Sequence, residues 1–282
     1  MITGKSYEER QKISGLSSER ADIIIAGALV IQEILRKAKA SYLTISGCGL
    51  REGLFFHYYD PIYDKNGDKQ HDMLRCSVQN YLDTLPITYD FHTKYVTATA
   101  LAMFDQWQKV HKLDPRMRDI LAAAARLHDI GNLINYYSHA RHSCYMTANA
   151  HIFGWTHSEQ VMCALICAFH HGYSGKYLKA NGQAHILTAA QMRQVRILSL
   201  FLAMAEGLDE SQEHCITRVI CTSYKAAMDL RVYTDRENFD VPAHATASLV
   251  KDFEKTFHLP FRIQWFPGSS HRNELVEAAQ KL

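Results

Sequence analysis

Apolar residues recur at helical spacing along most of this chain. In residues 74–210 they repeat every three or four positions over several long stretches, with almost no alternating segment, which predicts a series of helices. The stretch ERADIIIAGALVIQEILRKAK, residues 19–39, has the same periodicity and the length of a helix. These two regions indicate a chain that is mainly helical.

Segments rich in β-branched and aromatic residues predict a few strands. YLTIS, residues 42–46, is one of them, and the tail contributes ITRVICTSY, DLRVYTD and FRIQWF around the helical ASLVKDFEKTF. The fold class is therefore mainly α in three parts: an α/β segment in residues 1–60, a helical domain in residues 74–210 and a small α/β module in residues 215–282. The polar, turn-rich residues 61–73 predict a linker.

The strand at residues 42–46 also predicts self-association. One strand cannot form a sheet, so this strand needs a partner from another chain, from another region or from a missing N-terminal part, and an exposed strand edge invites pairing with another chain. We therefore expect a homodimer.

Composition narrows the classes of partner and location. The hydrophobic fraction of 47% and the charged fraction of 21% are those of an ordinary globular protein, and the net charge of +2 offers no electrostatic attraction to nucleic acid or acidic membranes. Seven cysteines without C-x-x-C spacing fit reduced thiols, and the first ten residues lack the pattern of a signal peptide. We expect a cytoplasmic protein without nucleic-acid or membrane partners.

Four predicted helices each place an ionisable residue on their buried face. His92 continues the apolar stripe of its helix by one turn, His128 follows Ala124 by four residues, and the same step leads to His170 and to Glu206 on later helices. Asp129 lies about 100° around its helix from His128, so both side chains can reach one point. The four helices together predict a polar cluster inside the domain.

A divalent cation accounts for such a cluster. A single buried histidine is most often a hydrogen-bonded core residue, but several buried ionisable groups are costly unless they are paired or bind a cation. Nitrogen and oxygen donors suit Mn, Fe, Zn or Mg, and such an ion can acidify a water and polarise a phosphoryl oxygen. The predicted metal ligands are His92, His128, Asp129 and Glu206.

The order of these residues resembles the HD superfamily of metal-dependent phosphohydrolases, in which a His, a His-Asp pair and an Asp follow one another. HDIG at residues 128–131 matches that pattern, whereas Glu206 stands where the pattern has Asp. Asp209 is the alternative acidic ligand. The resemblance implies that Asp129 is the catalytic residue, with the added role of orienting the attacking water.

A closer resemblance covers nearly the whole chain. GLSSERADIIIAGALVIQEIL, YLTISGCGLREGLFF, HDIGNLINYYSHARHSCYMTAN and AFHHG are similar to the exopolyphosphatase / guanosine pentaphosphate phosphatase (Ppx/GppA) family. The resemblance implies that residues 1–60 are the end of an actin-like, ribonuclease H-like domain and that residues 74–210 are a helical HD domain. The family's phosphate-binding motifs D-x-G-S and D-x-G-G-G-S do not occur in this sequence.

Further polar residues are candidates for a second metal or for phosphate, namely His142, His170, His171 and Arg141. His139 and His157 are candidates as well, and for these two a surface or capping role is the preferred interpretation over ligation.

The sequence leaves three functions open. The first is an HD-type, metal-dependent hydrolase of a phosphoric ester or anhydride in a small phosphorylated molecule, a nucleotide or polyphosphate. The second is a catalytically silent regulatory module that binds polyphosphate or a guanosine alarmone. The third is a truncated exopolyphosphatase.

Overall fold

The computed structural model of the chain describes residues 2–13, 15–45, 49–63, 73–87, 91–180, 182, 184–224, 227–268 and 273–282. They belong to two compact units, residues 1–69 and 70–282. Among the described residues, no helix combines the length and the apolar character needed to cross a membrane.

The first unit consists of helices in its described part: α1 (Tyr7–Gln11), a 3-10 turn (Ser18–Arg20), α2 (Ile24–Ala38) and α3 (Leu50–Tyr63). The capping box of Ser6 and Glu9 starts α1, and the left-handed Lys39 ends α2. No residue of α2 is buried. The predicted helix in residues 19–39 is confirmed over Ile24–Ala38, while its first residues belong to the 3-10 turn Ser18–Arg20.

The predicted strand at residues 42–46 is wrong where the structure describes it. Tyr42–Ile45 form no regular secondary structure, and Ser46 lies outside the described residues. The physical reason is that a strand is stable only against a neighbouring strand, and the described part of this unit contains none. The predicted homodimer loses this strand as its basis and stays a prediction.

The structure agrees only in part with the predicted linker at residues 61–73. Helix α3 continues to Tyr63 and the next helix begins at Met73, so the ends of the segment are helical. Residues 64–72 lie outside the described residues.

The second unit opens with the predicted series of helices: α4 (Met73–Asp83), α5 (Phe91–Gln106), α6 (Gln108–His111), α7 (Arg116–Leu127), α8 (His139–Asn149), α9 (His157–Ala168), α10 (Gly175–Ala180) and α11 (Ala189–Leu208). Capping boxes at Thr156 and Thr188 start α9 and α11. The apolar stripes of these helices meet in one core. A 3-10 turn, Ile130–Leu133, joins α7 to the loop before α8.

A three-stranded sheet follows: β1 (Ile216–Tyr224), β2 (Ala227–Thr234) and β3 (Phe261–Phe266) in the order β1-β2-β3. β1 and β2 are antiparallel, while β2 and β3 are parallel, so the chain crosses over through α12 (Asp240–Ala247) and α13 (Val250–Phe257). Helix α14 (Glu274–Gln280) ends the module. The predicted strands of the tail are confirmed, as is the mainly α fold with a small C-terminal α/β module.

Helix α5 anchors the sheet to the helical bundle. Gln106 donates its side-chain N–H to the carbonyl of Val219 at 3.1 Å, Trp107 donates its indole N–H to the carbonyl of Thr222 at 3.3 Å, and Tyr95 donates its hydroxyl to the carbonyl of Ile216. Because α5 also carries His92 at its start, the sheet holds one wall of the site described next.

Candidate metal site

Three histidines at the site are held by the same local contact. Nδ1 of His128, His139 and His170 each lies 2.6–2.9 Å from the carbonyl oxygen three residues earlier. Two of these carbonyls belong to the last turns of α7 and α9, where a helix leaves its final carbonyls without a helical N–H donor. A carbonyl oxygen only accepts a hydrogen bond, so Nδ1 of each ring carries a proton and Nε2 is the nitrogen that faces the site.

His92 has the same orientation through a different partner. Its Nδ1 donates to Oδ2 of Asp209 at 2.7 Å, and both side chains are buried. Nε2 of His92 therefore also faces the site. Four imidazoles from different parts of the helical bundle thus direct Nε2 at the same region.

We call His92, His128, Asp129 and Glu206 the first donor group. Oε2 of Glu206 lies 3.2 Å from Nε2 of His92 and 3.1 Å from Nε2 of His128. Oε2 of Glu206 and Nε2 of His128 are both buried, and they meet at ion-pair distance without the geometry of a hydrogen bond. Buried polar atoms without a hydrogen bond are rare in folded proteins and call for an explanation such as a bound ion.

We call His139, His170 and His171 the second donor group. Nε2 of His139 lies 3.0 Å from Nε2 of His170 and 3.1 Å from Nε2 of His171. Oδ1 of Asp129 lies 3.4 Å from Nε2 of His139 and 3.8 Å from Nε2 of both His128 and His170. Asp129 thus stands between the two groups, with a side chain that is 23% exposed and so reaches solvent.

The electrostatics of the first donor group depend on its buried carboxylates. Burial alone lowers the pKa of His92, but the carboxylates of Asp209 and Glu206 raise it to about 10. Burial acts on the pKa of His128 in the same direction, and the charges of Asp129 and Glu206 raise it to about 9. Burial raises the pKa of Glu206, yet the adjoining His128 and His92 hold it well below the usual value.

Two histidines of the second donor group have lowered pKa values, unlike those of the first. Burial, with the positive charge of His128, holds the pKa of His170 well below its usual value. Burial lowers the pKa of His171 too. The lone pairs of these two rings are therefore available at neutral pH.

Gly131 allows α8 to pack directly on the turn that follows Asp129. A Cβ at this position would collide with the carbonyl of His139 and the backbone nitrogen of Ser143, and would lie 2.8 Å from Cβ of His142. The hydroxyl of Ser143 accepts the N–H of Gly131 at 2.8 Å. This close approach carries His139 to Asp129.

We expect Gly131→Ala to destabilise the second unit by about 1–3 kcal/mol, because overpacking at a backbone contact forces the start of α8 away. The free energy of unfolding in urea measures this. Gly175→Ala is the control, since the nearest atom to its Cβ lies 3.9 Å away, and it should change stability by less than about 0.5 kcal/mol. Equal stability of the two variants would contradict the close-packing explanation.

The structure places the other predicted residues in different surroundings. His139, for which a surface or capping role was preferred, lies beside His170 and His171 as the first residue of α8, and its role as a ligand stays a prediction. Among the described residues, His142 belongs to neither donor group; its Cβ packs beside Gly131. The guanidinium of Arg141 lies over the ring of Tyr177, 5.4 Å from its centroid. His157 begins α9, whose far end leads to His170.

Asp209 occupies a different place from the one predicted. As the alternative acidic ligand it was expected to face the same point as Glu206, but it contacts Nδ1 of His92 and Nδ1 of His214. Glu206 is the carboxylate that faces the Nε2 atoms. His214 was not predicted, and no periodic pattern leads to it because it lies in the turn between α11 and β1.

Comparisons with known proteins identify the family of the chain. A family model described as Ppx/GppA phosphatase, domain III, matches residues 76–253, and one described as Ppx/GppA phosphatase family matches residues 1–61. The first match covers the helical bundle and most of the C-terminal module.

Two curated relatives are both named guanosine-5'-triphosphate,3'-diphosphate pyrophosphatase. That of Aeromonas salmonicida is 28% identical over 199 residues, which cover 70% of this chain and 38% of the relative. That of Photobacterium profundum is 23% identical over 203 residues, which cover 71% of this chain and 38% of the relative. The chain thus spans 38% of the length of each of these relatives.

Proposed function

Because the chain belongs to the Ppx/GppA phosphatase family, we propose that it is an HD-type phosphohydrolase that cleaves a phosphoric ester or anhydride with divalent cations held by the two donor groups. The observation that carries the proposal is the convergence of Nε2 atoms around Asp129 and Glu206. The helical unit contains this convergence by itself, so the proposal needs no residue outside the described part of the chain.

The donor atoms fit such ions in spacing and in kind. Two nitrogens bound to one ion at about 2.1 Å lie about 3.0–3.4 Å apart for bond angles near 90–110°, and the nitrogens of the second donor group are 3.0 and 3.1 Å apart. Imidazole with carboxylate suits Zn, Fe or Mn better than Ca. The fixed Nδ1 contacts match the pattern in which the other ring nitrogen of a ligating histidine is held by a carbonyl or carboxylate.

Each residue has a distinct role in this proposal. His92, His128 and Glu206 would hold one cation, and His139, His170 and His171 would hold another, with Asp129 between them. Bound divalent ions supply Lewis-acid polarisation of a phosphoryl oxygen and acidify a water. Asp129, which reaches solvent, accepts a hydrogen bond from the attacking water and orients it.

The exposed tyrosines beside the second donor group favour a nucleotide over inorganic polyphosphate as substrate. Tyr136 and Tyr137 are 74% and 80% exposed, the Tyr136 ring centroid is 5.9 Å from that of His139, and the two tyrosine rings are 5.8 Å apart. Aromatic faces of this kind stack on nucleobases, whereas a polyphosphate chain requires a row of cations.

We expect Tyr136→Ala to raise KM for a nucleoside polyphosphate by about 5- to 100-fold, the equivalent of about 1–3 kcal/mol for one stacked base. KM for inorganic tripolyphosphate should stay the same in this variant. Tyr224→Ala, which removes a 60% exposed tyrosine at the end of β1, is the control. An equal effect of Tyr136→Ala on both substrates would contradict base stacking.

Cation binding should strengthen steeply as pH rises from 7 to 9. Without a cation, the pKa of His92 is raised to about 10 and that of His128 to about 9, so protons occupy both rings at pH 7 and must leave before Nε2 can bind a metal. Affinity should therefore rise by up to about a hundredfold per pH unit while both protons are displaced. Calorimetry in buffers of different ionisation enthalpy counts these protons, and an affinity that does not change with pH would contradict the assignment.

Hydrolysis assays on protein reconstituted with Mn²⁺ or Zn²⁺ test the proposed function. Release of phosphate from nucleotides, tripolyphosphate or phosphate esters that requires the cation would support it. Binding of these molecules without any release of phosphate would instead support the regulatory module that the sequence leaves open. Hydrolysis that is insensitive to cation removal would contradict the role of both donor groups.

A further inference from the structure

Asp209 joins two histidines from different parts of the chain. Its Oδ2 accepts the Nδ1 proton of His92 at 2.7 Å and that of His214 at 2.9 Å, and its Oδ1 accepts the backbone N–H of His214 at 2.9 Å. Asp209 and His92 are both 1% exposed. Three donors therefore fix this carboxylate behind His92, on the ring nitrogen that does not face the site.

The turn that carries His214 is built around this contact. His214 and Gln212 have φ of 53° and 55°, in the left-handed region that side chains rarely adopt. Asn273 donates its side-chain N–H to the carbonyl of His214 at 3.3 Å, so the turn is also tied to the start of α14. These two residues adopt unfavourable backbone conformations, and the turn that they form places His214 against Asp209.

Aromatic neighbours hold the His214 ring in place. Its centroid lies 5.0 Å from that of Phe91 and 5.1 Å from that of Tyr95. Both rings belong to α5, the helix that carries His92. The His214 ring therefore packs against the helix that carries His92, the ligand that it supports through Asp209.

We propose that Asp209 and His214 are positioning residues that hold Nε2 of His92 in place for cation binding. This inference rests on the proposed function, since it needs His92 to bind a cation. A carboxylate on Nδ1 fixes the tautomer and the direction of a ligating imidazole and makes its other nitrogen a better donor. His214 fixes the carboxylate in turn, so the C-terminal module takes part in building the site.

The affinity for Mn²⁺ alone, measured by equilibrium titration, tests this role. Asp209→Asn and His214→Asn should each weaken binding by about 10- to 100-fold. Asparagine tolerates the left-handed region, so His214→Asn removes the imidazole and keeps the turn. His258→Asn is the matched control, because His258 also has a positive φ, 56°, but ends α13. It should bind Mn²⁺ as the unmodified protein does.

Co²⁺ gives a second readout that a loss of stability alone would not move. Its visible absorption reports the ligand field, and both variants should shift it relative to the unmodified protein, while His258→Asn should not. If His214→Asn and Asp209→Asn bind Mn²⁺ with the affinity of the unmodified protein and give its Co²⁺ spectrum, the inference is overturned and the proposed function is left intact. An unmodified chain that binds neither ion would overturn the proposed function and the inference with it. If Asp209→Asn does not fold, His214→Asn decides the question.

Discussion

Replacing His128 by alanine should abolish cation binding at the first donor group and destabilise the protein. His128 is fully buried, and its Nε2 lies 3.1 Å from Oε2 of Glu206. Removing the ring takes away one ligand and leaves the Glu206 carboxylate with one basic neighbour, His92, in place of two. Loss of one partner of a buried charged pair costs about 3–5 kcal/mol. Metal titration and urea unfolding of the same sample measure both effects.

His111→Ala separates the loss of a ligand from the loss of a buried histidine. His111 is also buried, but its Nε2 donates to the carbonyl of Phe104 at 2.8 Å and its Nδ1 accepts the N–H of Leu113 at 3.0 Å. Its replacement should reduce stability and leave cation binding unchanged. If both variants bind the cation equally well, His128 is a core residue and not a ligand.

Asp129→Asn should have the largest effect on turnover. The exchange keeps the size of the side chain and removes the negative charge that lies between the two donor groups, 3.4 Å from His139 and 3.8 Å from His128 and His170. Asparagine is a poor ligand for two cations and a weaker acceptor for the attacking water. We expect kcat to fall by about a thousandfold or more, on the scale of losing a group that stabilises the transition state.

The matched control for this variant is Asp105→Asn. Asp105 is half exposed and pairs with Arg118 at 2.7 Å on the surface of α5. Its replacement should leave kcat within about twofold, because surface ion pairs contribute little. Steady-state kinetics with saturating cation compares the two, and full activity of Asp129→Asn would exclude a catalytic role.

The positions on the apolar stripes were predictable from the sequence because a buried helix face repeats with the helix itself. His92 precedes the stripe of its helix by one turn, whereas His128, His170 and Glu206 follow theirs by one turn. All four are buried where the helices meet. The strands of the tail were predictable for a related reason, since neighbouring strands exist there to pair with them.

The remaining features depend on contacts that are distant in sequence. His139 is the first residue of α8, so no stripe leads to it, and the close approach at Gly131 decides where its ring lies. Asp209 lies at the end of α11, where the turn to His214, not helical periodicity, sets the direction of the side chain. The segment at residues 42–46 has the composition of a strand, but the described part of its unit offers no strand to pair with it.

The metal content of protein purified without chelators is the most direct test of whether the two donor groups bind divalent cations. We expect stoichiometric divalent metal in the unmodified chain, measured by plasma mass spectrometry, and a lower metal content in His128→Ala, which lacks the first donor group's cation, but not in His111→Ala. An unmodified chain that contains no divalent metal, and that takes up none when Mn²⁺ or Zn²⁺ is added, would contradict cation binding by the two donor groups.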